Sequence, residues 1–380
     1  MSTHDDGFHP SKSDRTRSDR ISSDPSILDA FGWSPDLAEA FEHHLQTHPH
    51  PVPRPARVIS ASREIYRVQT PSGERPARAS GRLRAAGELP AIGDWVAVDG
   101  DDGEARIHAV LPRRTRLSRK VAGGRTEEQV VAANVDVVFL VMGLDGDFNL
   151  RRLERFAVMA WASGAEPVVL LTKADLVDDV PRRLRQAGVA APGMPVYSVS
   201  ALAGEGLDAV RAHLAPGRTV ALIGSSGVGK STLVNRLCGE EVMLTSAVRA
   251  GDDRGRHTTT HRQLVRLPGG GLLIDNPGVR EVQLWVDGDD GLGDAFDDVD
   301  ELARACRFGD CTHSGEPGCA VAEAIENGTL DPARMENRRT LEKELQWLDR
   351  RRDVAEQRRI GRENSKLYRS VQKEKWGRRR

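Results

Sequence analysis

The sequence predicts a multidomain α/β protein: a small N-terminal β-barrel, a doubly wound and mostly parallel sheet, and a helical C-terminal domain gathered around cysteines. Three observations carry this expectation. Short β-like runs punctuated by Gly, Ser and Asp fill residues 54–115, the spacing of a small barrel. Across 116–294, apolar strands alternate with amphipathic helical stretches, the pattern of a parallel sheet covered on both faces. Beyond 295 strand signals cease, and three of the four cysteines in the 380-residue chain fall between 306 and 319.

Taken in order, residues 1–53 are rich in Ser, Asp, Arg, His and Pro and carry too little apolar surface to offset the entropy of ordering. They read as a disordered tail with one short helix at 35–45. Charges occupy the place of a signal peptide's apolar core, and the longest apolar stretch, VDVVFLVMGL at 135–144, falls far short of the roughly 20 residues of a spanning helix. A cytoplasmic protein without membrane contact is expected. The barrel runs are ARVISA, EIYRVQT, ARASGRL, DWVAVDG and ARIHAVL; an oligonucleotide-binding barrel is preferred, and an SH3-like barrel fits the strand pattern nearly as well. Tyr66 and Trp95 are its only large aromatics, a thin surface for stacking on bases.

In the second domain VDVVFLVMGL, PVVLLTKAD, MPVYSVSA and TVALIGSSG read as strands, with NLRRLERFAVMAWASG an amphipathic helix closed by Gly164. Ligands of such sheets gather at the carboxyl ends of the strands. In 295–380, Asp331 caps a helix that Pro332 opens, with Leu341, Leu345 and Leu348 along one face. The formal net charge of −1 hides a basic end: Trp347 to Arg380 holds 13 Lys or Arg against 5 Asp or Glu, an arm suited to a polyanion.

The chemistry sits at strand ends. Gly224, Ser225, Ser226, Gly227, Val228, Gly229, Lys230 and Ser231 fill the G-x-x-x-x-G-K-[ST] pattern between a strand and the helix STLVNRLC, with Thr232 next in line. Backbone N–H groups and the helix dipole of such a loop cradle phosphates, Lys230 reaching the β- and γ-phosphates and Ser231 ligating Mg²⁺. Thr172, Lys173, Ala174 and Asp175 end another strand, where the carboxylate accepts from the N1 and N2 donors of guanine; adenine offers no such pair. Thr172 departs from the commoner Asn. Ser200 and Ala201 match the Ser-Ala element that backs the base. Asp275-Asn276-Pro277-Gly278 follows the strand GLLI, with Asp275 holding Mg²⁺ through water and the Gly278 N–H meeting the γ-phosphate. The polar segment between them offers Thr258, Thr259 and Thr260, one of which supplies the second hydroxyl to the metal. Cys306, Cys311, His313 and Cys319 form a set of four that closes a tetrahedral, structural zinc shell. Cys238 stands apart as a small buried residue.

These elements run in the order guanine clamp, base loop, phosphate loop, switch I, switch II, a rotation of the usual order. A circular permutation accounts for it, because strand ends and not chain order place the site. The chain resembles the circularly permuted GTPases, and GRHTTTHRQL with LIDNPGVRE is similar to the bacterial small-ribosomal-subunit biogenesis GTPases over most of residues 55–320. That resemblance implies binding to the assembling small (30S) subunit and its 16S rRNA, GTP hydrolysis stimulated by the particle, and release near the end of maturation; a monomer is expected. Val279 stands where many GTPases carry the Gln that orients water. The resemblance favours His257 for that task, beside Lys230 and Gly278; Arg256, the partner RNA and a bound monovalent cation are the other candidates. Two further readings compete. One is a nucleotide-controlled RNA-binding module with incidental hydrolysis, supported by Val279, and the other a P-loop kinase, against which Asp175, Ser200-Ala201 and Asp275 argue.

Overall fold

The computed structural model describes residues 27–47, 53–62, 65–99, 103–120, 128–239, 262–275 and 290–351. A 3-10 turn over Asp29–Phe31 leads into α1 (Pro35–Thr47). Leu37 and Phe41 lie one turn apart on one face of α1, and both are buried with Leu28 and Phe31. The Trp33 ring meets Trp95 of the barrel edge-on at 4.8 Å between centroids. Residues 27–47 are therefore folded, which corrects the expectation of a tail for that stretch. Its sparse apolar residues build no core of their own and complete a neighbour's.

β1 (Arg54–Ser62) pairs antiparallel with both β2 (Ile65–Thr70) and β4 (Trp95–Asp99). β2 continues to β3 (Gly73–Ala79), which runs parallel to β5 (Ala105–Val110), and β5 returns to β4. The circuit β1-β2-β3-β5-β4-β1 closes a five-stranded OB-like barrel and settles the choice against the SH3-like alternative. Between β3 and β4 lies α2 (Gly81–Ala86), whose first turn is capped when Leu83 N–H donates to Ser80 Oγ. Tyr66 lies in the barrel core, while Trp95 is buried on the barrel's outer side beneath Trp33 and Arg57, so neither offers a face to a base.

A hairpin of β6 (Arg116–Lys120) and β7 (Glu128–Ala133) leads into β8 (Val137–Gly143), α3 (Leu150–Ala162), β9 (Glu166–Thr172), α4 (Val180–Ala190) and β10 (Val196–Val199). α5 (Leu207–Ala212), β11 (Thr219–Ile223), α6 (Lys230–Cys238), β12 (Arg262–Arg266) and β13 (Leu272–Asp275) follow. The strand order is β10-β9-β8-β11-β13-β12, parallel except for β12. Every residue of β8 is buried because both faces are covered: Val138, Leu140 and Met142 join one core with Leu153, Phe156 and Ala187, while Val137, Phe139 and Val141 join the other with Val210, Leu233 and Cys238. β12 also pairs with β1, through Ser60 opposite Gln263 and Ala61 opposite Arg262. Barrel and α/β domain thus share one eleven-stranded sheet.

The C-terminal helices are α7 (Asp290–Ala295), α8 (Asp297–Arg304), α9 (Ala320–Glu326) and α10, which covers 332–351. As the sequence suggests, Asp331 caps α10, accepting from Ala333 N–H, and Leu341, Leu345 and Leu348 are buried. Arg334, also buried, fastens this domain to the α/β domain. It bonds Asp298, Glu154 of α3, and the carbonyls of Ala295 and Ala190.

Candidate functional site

The carboxyl ends of β8, β9, β10, β11 and β13 lie along one edge of the sheet, and the expected motifs occupy the loops that leave it. Gly224 to Gly229 turn out of β11 into α6. Gly224 has no alternative there, since a Cβ would sit 2.3 Å from the Val141 carbonyl of β8. The Lys230 ammonium donates to the carbonyls of Gly224 (2.7 Å) and Ser225 (2.6 Å) at the mouth of the loop, with Ser231 and Thr232 in the first turn of α6.

Thr172 at the end of β9 touches this loop directly. Its buried hydroxyl lies 2.5 Å from the Val228 carbonyl and 3.3 Å from that of Met142, sharing one proton between them. The hydroxyl thus forms a strut between the 172–175 segment and the loop at 224–229. Lys173 adopts a left-handed backbone (φ 59), and Ala174 to Leu176 form a 3-10 turn. Ser200, fully buried at the end of β10, donates to Asp175 Oδ1 at 2.5 Å and so fixes the orientation of that carboxylate. Ala201 follows in the turn that backbone bonds between Ser200 and Glu205 close. Asp175 and Lys230, 55 positions apart in the chain, therefore face one edge through a chain of contacts. Asp275 ends β13 in register with Leu222 of β11, two residues before Gly224. His257, Thr258, Thr259, Thr260 and Gly278 lie outside the described residues.

One residue of this edge has no motif to announce it. Asp145, in the turn after β8, accepts from Lys173 Nζ at 2.5 Å. That bond holds its carboxyl below the usual range. The signal available in the sequence is an acidic turn, Gly-Leu-Asp-Gly-Asp, directly following a buried apolar strand.

The second site is the cysteine cluster. Cys306, Cys311, His313 and Cys319 bring their ligand atoms within 4.8 Å of one another. Cys306 Sγ and Cys319 Sγ are 3.9 Å apart, and each is 3.5 Å from His313 Nδ1. A tetrahedral zinc shell requires about 3.8 Å between sulfurs and about 3.5 Å from sulfur to nitrogen, so the donor set fits that ion. Backbone geometry delivers it: His313 takes a left-handed conformation, Cys319 caps α9 by accepting from Ala322 N–H, and Arg339 of α10 donates to the carbonyls of Thr312 and His313.

Comparison with known proteins agrees with this arrangement. A family model described as RsgA GTPase matches residues 110–285. A small ribosomal subunit biogenesis GTPase RsgA 2 of Lactiplantibacillus plantarum is 44% identical over 296 residues, covering 77% of this chain and 83% of its own. RsgA of Opitutus terrae is 45% identical over 342 residues, 86% of this chain and 92% of the relative. Among solved structures, YjeQ from Thermotoga maritima aligns with a TM-score of 0.58 at 28% identity, over 77% of this chain and 99% of that one. YloQ, described as a circularly permuted GTPase, aligns at 0.52 and 24% identity over 81% and 98%, a likeness of fold. The same permutation is visible here, β8, β9 and β10 preceding the phosphate-loop strand. Identity at this level along most of both chains exceeds what shared architecture alone produces, and the chain belongs to the RsgA GTPase family.

Proposed function

We propose that this GTPase acts on the assembling small ribosomal subunit, hydrolysing GTP late in maturation when the particle and its 16S rRNA complete its site. The observation that carries the reading is the contact of Thr172 with the phosphate loop and of Ser200 with Asp175 at one sheet edge, an arrangement that suits a guanine nucleotide. The partner is suggested by the relatives, which are named small ribosomal subunit biogenesis GTPases. In this reading Asp175 reads guanine, Ser200 and Ala201 back the base, and residues 224–232 wrap the phosphates. Ser231, Asp275 through water, and one of Thr258, Thr259 and Thr260 would hold Mg²⁺, which supplies charge neutralisation at the phosphates. Gly278 would meet the γ-phosphate, and His257 would position the attacking water. Cys306, Cys311, His313 and Cys319 would hold one zinc ion whose role is structural, stabilising a domain with a small core. Exposed Arg67, Arg78, Arg82, Arg84 and Arg106 on the barrel, together with the basic C-terminal arm, suit a phosphate backbone. We take the working unit to be a monomer acting in the cytoplasm.

The test is turnover of GTP and of ATP by the full chain, with and without purified small subunits. Strong stimulation confined to GTP is expected. Equal turnover of both nucleotides, or stimulation of neither, overturns the reading. Val279 favours a second one, in which the chain is a nucleotide-controlled RNA binder with incidental hydrolysis. Nucleotide-dependent binding without stimulated turnover would select it.

A further inference from the structure

We propose that Asp145 is a positioning residue of the guanine clamp: its carboxylate anchors the Lys173 ammonium and so slows release of guanine nucleotides. The inference rests on the reading of residues 172–175 as that clamp.

Lys173 stands between Thr172, which touches the phosphate loop, and Asp175, which faces the base side of the edge. Its left-handed backbone is unfavourable for a side chain with a Cβ, so its surroundings must hold it. Two contacts do. Leu144 N–H donates to the Thr172 carbonyl, fastening the turn after β8 to the end of β9, and Asp145 Oδ2 receives the Lys173 ammonium at 2.5 Å.

The turn is built to present that carboxylate. Asp145 Oδ1 accepts from Asp147 N–H at 3.2 Å, which fixes the orientation of the group. Asp147 in turn is tied by Arg152 and by Gly143 N–H. A Cβ at position 143 would lie 2.5 Å from Asp145 Oδ1, so only glycine leaves the carboxylate its place. Lys173 and Asp145 are each about a third exposed in the nucleotide-free chain. A purine lying along the lysine stem would remove water from the pair and strengthen it, so the pair and the base support one another.

On the clamp reading the pair serves the base side of the site, so the effect belongs to binding of GTP and GDP alike. The measurement is release of fluorescent GDP and of a fluorescent nonhydrolysable GTP analogue from the full chain, for wild type, D145N, K173M and the double variant. D145N should speed release of both nucleotides about fivefold or more, K173M at least as much, and the double variant no more than K173M alone. KM for GTP should rise by a larger factor than kcat falls. The gap between wild type and D145N should narrow from about 0.05 to about 1 M NaCl, because salt screens an ion pair that the variant no longer has. A general loosening of the fold would not produce that narrowing. Should D145N fail to fold, D145S keeps an acceptor for Asp147 N–H and gives the same readout. Release from D145N within twofold of wild type, or additive effects in the double variant, overturns the proposal. If K173M itself leaves release unaltered, the clamp reading fails; if K173M acts and D145N does not, only the role of Asp145 fails.

Discussion

Thr172 shows how much one hydroxyl can decide. In sequence it reads as a loss, since Asn is the commoner residue there, yet in the fold it is the link between the clamp strand and the phosphate loop. T172V keeps the branched shape and deletes the donor, leaving the Val228 carbonyl buried without its partner. Such a loss costs about 1–3 kcal/mol. We expect KM for GTP to rise roughly 5- to 150-fold on that basis, with GDP release accelerated in step. Asp175 makes a sharper case, because the structure leaves its orientation to Ser200 alone among the described hydrogen bonds. In the proposed clamp, D175N exchanges an acceptor for a donor at the atom that would meet the guanine N1 and N2 groups. GTP affinity should fall about 100-fold, while xanthosine triphosphate, with a carbonyl in place of the amino group, becomes the better substrate. Competition between the two nucleotides in single-turnover assays checks it, and unaltered preference for GTP would remove Asp175 from the clamp. The placement of these residues at strand ends was legible because such turns leave local signatures. Asp145 was not, since its contact depends on a lysine just past the end of the next strand.

Elements joined across the chain were harder to read than elements themselves. α10 was visible through Asp331, Pro332 and its leucine stripe, but nothing in the sequence singles out Arg334 within it. Its partner Glu154 lies on α3 and is fully buried, also receiving Arg151 and Asn337. Burial raises the Glu154 carboxyl above its ordinary range, outweighing the pull of Arg151 and Arg334. R334M strips one cation from a buried carboxylate, which typically costs about 3–5 kcal/mol. It also raises that carboxyl further, so the folded variant holds its proton to higher pH than the unfolded chain, which titrates near about 4.3. The stability deficit against wild type should therefore be smaller at about pH 5 and larger at about pH 8, readable from urea midpoints. A deficit independent of pH would show that Glu154 is not the group left uncompensated. The cysteine domain makes a second prediction at this scale. With metal bound, Cys306, Cys311 and Cys319 should resist a thiol reagent, and chelation should release all three together with part of the helical signal. Immediate reaction of the three thiols without chelator would exclude the zinc assignment.

At the scale of the whole molecule, the feature least visible in the sequence is the continuity of barrel and α/β domain. Strand register between β1 and β12, some two hundred residues apart, leaves no local trace; the docking of 27–47 on the barrel escaped for the same reason. β1 is fastened to the α/β domain at two places of unequal strength. At its middle, the buried Arg57 guanidinium donates to the carbonyls of Phe31, Gly93 and Asn134 and to Thr219 Oγ1, and sits over the Trp95 ring. Burial lowers its pKa to about 10, so it remains charged at neutral pH. Near its end, β1 meets β12 through two residue pairs among the described residues. β12 follows the segment expected as switch I, and β13, its partner, ends where switch II is expected to begin. Any rearrangement of those segments must pull on the hairpin between them. Net hydrogen bonds contribute about 1 kcal/mol each, whereas stranding a buried charge costs several, so the pairing at 60–61 should yield before the joint at Arg57 does. Amide exchange compared between GDP and a nonhydrolysable GTP analogue should then differ at 60–62 and 262–266 together, while 56–58 stays protected in both states. Changes at 262–266 with none at 60–62 would show that the barrel does not follow the nucleotide through this strand.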